Sequence, residues 1–328
     1  MKTALFSILG GILGVALVAL GGLFMLRSPQ PRDLPFDPYV AEPSQPESSV
    51  PVLFSKLDTF DLPLPTLTAL VCGPDGILYA AGETTVLAAD TRGNVQWRET
   101  TDAPVTALAV APNHGAIWAA LGDRVEKRTA QNQWQPIDVD TTPDTLITAL
   151  AIREDHIALA DAGNRQVLVI TADGAIHHRF GQNTPNDQIE LLLPSAHLDL
   201  GWTPEGTLIM TNPGRQQVMY VTPDGDPRSS WGHSSIEPDG FCGCCNPTHI
   251  VRLADGSVLT SEKGLPRVKL YTQDGVFLGF VDTPSNLKRP AGSNHQPYVI
   301  TAGPDGRVYL ADPATATLRV YKPRGGRG

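Results

Sequence analysis

Val299-Ile300-Thr301-Ala302-Gly303-Pro304-Asp305-Gly306-Arg307-Val308-Tyr309-Leu310 reads as an apolar run, a Pro-Asp-Gly turn and an alternating strand. A turn of that composition between two β-branched and aromatic runs is a hairpin signal. The same succession opens at Leu70-Val71-Cys72-Gly73-Pro74-Asp75-Gly76-Ile77-Leu78-Tyr79, and it returns in residues 107–118, 149–160, 197–210 and 249–260. After each copy a loop leads to a second strand pair, as in Val268-Lys269-Leu270-Tyr271 with the turn Gln273-Asp274-Gly275. The spacing between copies grows from roughly 38 to roughly 50 residues, the range of four-stranded propeller blades. Alternation such as Gln217-Val218-Met219-Tyr220-Val221 favours half-buried strands over helices. Six copies predict an all-β, six-bladed β-propeller.

The sixth copy supplies only three strands, ending near Leu318-Arg319-Val320-Tyr321, whereas residues 52–60 precede the first copy and have no blade of their own. The expectation is that residues 52–60 return as the missing outer strand of blade six and latch the ring. The alternative is an unpaired extension.

Glycine and proline, 31 and 29 of 328 residues, match the turn density of such a fold. A net charge of -9 with no basic stripe argues against nucleic acid as a partner. Residues 4–26 carry no charged side chain and are flanked by Lys2 and Arg27, long enough to span a hydrocarbon core of ~30 Å. Residues 1–27 are therefore expected to be a cytoplasmic tip and a transmembrane signal-anchor, making the membrane a partner. Ala19-Leu20-Gly21 leaves cleavage as the alternative. Residues 28–51, with seven prolines from Pro29 to Pro51 among Ser, Gln and Glu, read as an extended linker. The propeller, residues 52–326, is then expected outside the cytoplasm, periplasmic or extracellular.

Blades three to six share a further pattern: Leu159-Ala160-Asp161 with Arg165 and Val167, Met210-Thr211-Asn212 with Arg215 and Val218, Ser261-Glu262 with Arg267 and Val268, and Leu310-Ala311-Asp312 with Arg319. This pattern resembles NHL-repeat six-bladed propellers. Blades one and two depart from it, since Ala80-Ala81-Gly82 and Ala119-Ala120-Leu121 lack the acidic residue. The tract Gly240-Phe241-Cys242-Gly243-Cys244-Cys245-Asn246-Pro247 also resembles bacterial, membrane-anchored NHL-type proteins with a CGCCNP motif. The resemblance implies the fold and names no activity.

In a propeller the innermost strand begins just after the loop that leads into its blade. Cys242, Cys244 and Cys245 are therefore expected at the mouth of the central channel, with Glu262 and Lys263 on the same face. Counting back nine residues from the turn glycines Gly256 and Gly306 places Cys245 beside His295; the count from Gly206 reaches His197, with Asp199 two residues on. His197, Asp199, the three cysteines, His249 and His295 are expected to crowd one sector of the mouth, where His197, Asp199, Asn246, Glu262 and Lys263 are the candidates for ligand binding. Cys72 belongs at the far end of the first inner strand, as a small buried residue. His233 lies in the long approach to blade five; His114, His156, His177 and His178 read as surface or core residues.

Three readings of the cysteine tract stand side by side. Two of the three thiols form a disulfide, adjacent Cys244 and Cys245 being capable of a strained vicinal bond; or two thiolates from Cys242, Cys244 and Cys245 with His295 or His249 hold zinc or copper, whose preferred donors are thiolate and imidazole; or one thiol is redox-active, its pKa lowered by Lys263 or Arg267. Propellers resembling lactonases bind a divalent cation in the channel, and Glu262, Asp199 and Asn246 offer oxygens for an ion such as calcium. Asp161, Asn212 and Asp312 read as turn hydrogen-bonding residues. With no Ser-His-Asp set, phosphate loop or nucleotide fingerprint, the expected function is a binding scaffold for a protein or small molecule at the channel face. The alternative is a hydrolase.

Overall fold

The Asp-Gly turns, and the Glu205-Gly206 turn of blade four, fall where the alternation places them. Gly76, Gly206, Gly256 and Gly306 all have φ between +74° and +88°, a left-handed backbone that glycine adopts without cost. The same short turn closes the inner hairpins of blades one, four, five and six, with Gly73 N to Ile77 O, Thr203 N to Thr207 O, Leu253 N to Ser257 O and Gly303 N to Arg307 O all at 2.8 Å. The computed structural model describes residues 43–113, 115–181, 188–289 and 296–325. These form six four-stranded antiparallel sheets. The innermost strands are Ala69–Cys72, Ala107–Val110, Ile147–Arg153, Leu200–Trp202, His249–Arg252 and Val299–Ala302. Each packs against the next, and the last against the first. The ring is closed, and the fold is a six-bladed β-propeller.

Between each pair of adjacent blades lies one apolar cluster. Because every sheet is sandwiched between two others, the second strands are buried on both faces, position by position, in Leu78–Gly82, Ile117–Leu121 and Leu208–Asn212. Strands such as His249–Arg252 and Gln217–Val221 are partly buried, and at the rim Val95–Thr100 and Pro227–Trp231 are largely exposed. Each fully buried leucine, such as Leu78 or Leu87, contributes about 1.5–3 kcal/mol relative to exposure. The alanines between them let neighbouring sheets approach.

The latch forms. Phe54–Asp61 pairs antiparallel with Thr317–Pro323, from Phe54 opposite Pro323 to Asp61 opposite Thr317, with a bulge between Lys56 and Asp58. It is the outermost strand of the sheet whose innermost strand is Val299–Ala302.

The packed unit starts before residue 52. Residues 43–53 run along blade five, where Phe280 N donates to Pro51 O and Leu53 N to Phe280 O, both at 2.9 Å. Ser44 N and Gln45 N donate to the Glu237 carboxylate at 2.8 and 3.2 Å, and Glu47 pairs with Arg267 at 2.6 Å. The C-terminal part of the proline-rich stretch is thus docked. The expected transmembrane segment lies outside the described residues; among those residues no helix is long and apolar enough to cross a membrane.

Candidate functional site

The residue that recurs at the end of the second strand has one structural job in blades three to five. Asp161 accepts from Leu146 N at 3.0 Å, Asn212 from Leu192 N at 3.0 Å and Glu262 from Cys242 N at 3.1 Å. Each side chain pins the loop that leads into its own blade. In blade six Asp312 accepts from Arg289 at 3.3 Å. In blade one Gly82 takes the place of the side chain, and there the backbone comes so close that a Cβ would lie 1.9 Å from Thr66 O.

Glu262 is therefore not a group lining the mouth. It is buried and paired at 2.7 Å with Lys269, itself wholly buried. Lys269 also donates to Gly240 O at 2.5 Å and sits 4.4 Å from the Phe241 ring centroid, a cation–π contact. Burial pushes the Lys269 pKa down, against the pull of Glu262. Phe241 fills the interface between blades four and five with Trp231 and Tyr271. Arg267, also buried, donates to Ile236 O at 2.9 Å. Asn246 closes the loop, donating to Cys242 O at 2.5 Å and Lys263 O at 2.9 Å while its own carbonyl accepts from Lys263 N at 2.8 Å. The Asn246–Pro247 peptide is cis.

The cysteine tract is thus held as a rigid loop beside the mouth, and the cavity there is lined by other residues. Cys242 and Cys245 are buried and Cys244 is exposed; the Cys244 and Cys245 sulfurs are 3.3 Å apart, a thiol contact rather than a bond of about 2.05 Å. At Cys244 and Cys242 the shift runs opposite to the expected depression. Contact with the Cys245 thiol, then burial, raises Cys244, and Lys263 offsets this only in part. Burial, then the Glu262 carboxylate, raises Cys242 against Arg267 and Lys269. Cys72 lies at the other end of its strand, half-buried, with its pKa pushed up to about 12 by burial and by Asp305 and Asp75.

No group of three His, Cys, Asp or Glu side chains among the described residues is disposed to hold a metal ion. Each expected oxygen donor already has a partner: Glu262 has Lys269, Asn246 has the loop backbone, and Asp199 accepts from Leu200 N and Ile250 N, both at 2.9 Å. His295 lies outside the described residues. The zinc, copper and calcium expectations thus find no donor set in this part of the chain.

The structure does bring together His197, His249 and Asp199. His249 Nδ1 is 3.3 Å from Asp199 Oδ2, and the two imidazoles meet edge to face with centroids 6.5 Å apart. Both rings line a cavity of about 220 Å³ at the channel mouth, with Thr68, Thr106, Thr148, Thr248, Gln296 and Pro297. That is smaller than the ~300–1,000 Å³ of a drug-sized site and has room for one group of a ligand. Burial, and then repulsion from any charge on His249 and from the Lys263 ammonium, lower the His197 pKa from 6.5 to about 4. His197 is neutral at physiological pH. Lys263 Nζ reaches toward Ser195 Oγ at 3.5 Å, placing an ammonium close to His197. His233, by contrast, is exposed and faces Asp239 at 3.9 Å.

The threonines were not among the sequence candidates. Thr68 Oγ1 donates to Val105 O and Thr148 Oγ1 to Leu198 O, both at 2.7 Å, so each ties its blade to the next. Thr248 Oγ1 donates to Ser261 O at 2.7 Å within blade five. The signal was a threonine just before the first strand of blades one, two and five, which the turn-centred alignment passes over.

Fold and site together define a six-bladed propeller with a histidine-bearing channel mouth. No family model matches the chain, and no curated protein matches it. Solved structures do. A catalytically inactive histidine-to-alanine form of virginiamycin B lyase from Staphylococcus aureus, with quinupristin, is similar at TM-score 0.55 and 13% identity over 78% of this chain and 80% of that one. A streptogramin B lyase is similar at 0.55 and 14%, over 83% and 98%. The selenomethionine form of the Staphylococcus aureus enzyme is similar at 0.54 and 15%, over 83% and 89%. At these identities the likeness is one of fold.

Proposed function

We propose that this chain is an NHL-type propeller, tethered to the membrane outside the cytoplasm by residues 4–26, whose channel mouth binds one group of a small molecule and handles a proton there. The observation that carries the reading is the His249–Asp199 contact on the wall of the cavity. A carboxylate at Nδ1 holds the imidazole in the tautomer that leaves Nε2 with a free lone pair, the arrangement of a general base. Beside it, the neutral His197 offers a hydrogen bond without a competing charge. The fold neighbours are named as lyases, and one is described as inactive after a single histidine replacement. This supports an acid–base role for a mouth histidine over a purely passive scaffold.

A screen of cyclic esters, quinupristin included, tests the reading by mass spectrometry. Ring opening by elimination leaves the mass unchanged, whereas hydrolysis adds one water. Any conversion by the wild type is expected to fall by 10²-fold or more in His249→Ala, the scale of a positioned general base. Equal conversion by both proteins would remove His249 from the chemistry, and no conversion by either would favour a binding surface.

A further inference from the structure

The sulfurs of Cys244 and Cys245 touch at 3.3 Å although one residue is exposed and the other buried. The loop that carries them is fixed on both sides. Upstream, Phe241 is buried in the blade interface and Cys242 N is held by Glu262. Downstream, the Asn246 side chain is bonded to Cys242 O and to both backbone groups of Lys263. Gly243 O accepts from Gln216 Nε2 at 3.1 Å, and Gly243 itself is left-handed at φ +80°. Two thiols are therefore held in contact, with one facing solvent beside a lysine.

We propose that Cys244 and Cys245 form a thiol–disulfide exchange site for small, anionic, soluble disulfides, with Cys244 as the attacking thiol and Cys245 as the resolving one. The Cys244 thiolate attacks one sulfur of the disulfide, forming a mixed disulfide and expelling the first thiolate. Cys245, giving its proton to solvent, then attacks Cys244 Sγ and expels the second. Two cysteine thiols are oxidised to a vicinal disulfide, and one disulfide is reduced to two thiols. Lys263 supplies the attraction for anionic groups; its positive charge is felt at Cys244. Because contact with Cys245 and burial keep Cys244 protonated at neutral pH, the exchange quickens as pH rises, by about tenfold per unit while the thiol remains the major form. The exchange does not depend on the histidine chemistry proposed above, although Lys263 acts on both His197 and Cys244.

Oxidised glutathione is the probe. The reduced full-length protein is incubated with it anaerobically, quenched with acid and mapped by mass spectrometry. The expected product is a Cys244–Cys245 disulfide, two hydrogens lighter and free of glutathione. In Cys245→Ser the glutathione adduct should accumulate on Cys244, and Cys72→Ser should behave as the wild type. Glutathione retained on Cys244 of the wild type, or a disulfide that uses Cys242 in place of either partner, would overturn the proposal.

Discussion

Lys269→Met is expected to destabilise the protein by about 3–5 kcal/mol, the cost of leaving a buried carboxylate without its cation. The pair is made at 2.7 Å with both side chains removed from water, so Glu262 must then take a proton or draw water into the blade interface. Because Glu262 also holds Cys242 N, the cysteine loop should loosen with it, and amide exchange at Cys242 should quicken. The double replacement Glu262→Gln, Lys269→Met removes both charges and keeps an acceptor for Cys242 N, so it should recover most of the loss. Urea denaturation of the three proteins measures this. A single-variant loss below about 1 kcal/mol would mean that the ion pair does not hold the loop.

Deleting residues 54–61 is the second large effect. The deletion strips the outer strand from blade six and leaves Thr317–Pro323 as a bare edge, while the buried Phe54 no longer packs with Tyr321 and Leu310. An unpaired edge with unsatisfied backbone groups invites pairing with another chain. The truncated protein is expected to aggregate or to melt well below the parent. A monomer with an unchanged melting temperature would show that the ring does not need its latch.

These two effects differ in how far the sequence discloses them. The latch follows from a count of strands, because a sheet short of one strand and a strand short of a sheet are both visible. Lys269 was hidden. In Val268-Lys269-Leu270-Tyr271 the alternation marks it as solvent-facing, but a blade inside a propeller has no solvent-facing side until its outer strand. A period of two reports which residues share a face and not what that face meets. Residues 43–51 were hidden for another reason: they are held by backbone donors to Glu237 and by the Glu47–Arg267 pair, contacts that leave no periodic trace.

At the mouth, topology carried further than chemistry. Counting from the turn glycines was enough to bring His197 and Asp199 to one end of the channel, and the structure sets them beside His249. It did not say which charges would be consumed. Glu262 and Asn246 belong to the same sector, yet both are spent on pinning the cysteine loop. The sign of the thiol shifts likewise depends on distances: Lys263 acts on Cys244, but a neighbouring thiol at 3.3 Å acts more strongly.

The depressed pKa of His197 also bears on stability. An imidazole that takes its proton near pH 4 when folded and near 6.5 when unfolded contributes stability that is fully present above pH 6.5. As the pH falls from 6.5 toward 4, the unfolded chain binds the proton first, so that contribution is lost. His197→Gln should flatten this part of the stability profile.

The acid–base site needs two imidazoles in defined states, and nitrogen-detected NMR of the protein reads both directly. It should find a proton on the His249 Nδ1 that faces Asp199, and His197 neutral down to about pH 4. A bare Nδ1 on His249, or a His197 that titrates near 6.5, would contradict the acid–base site.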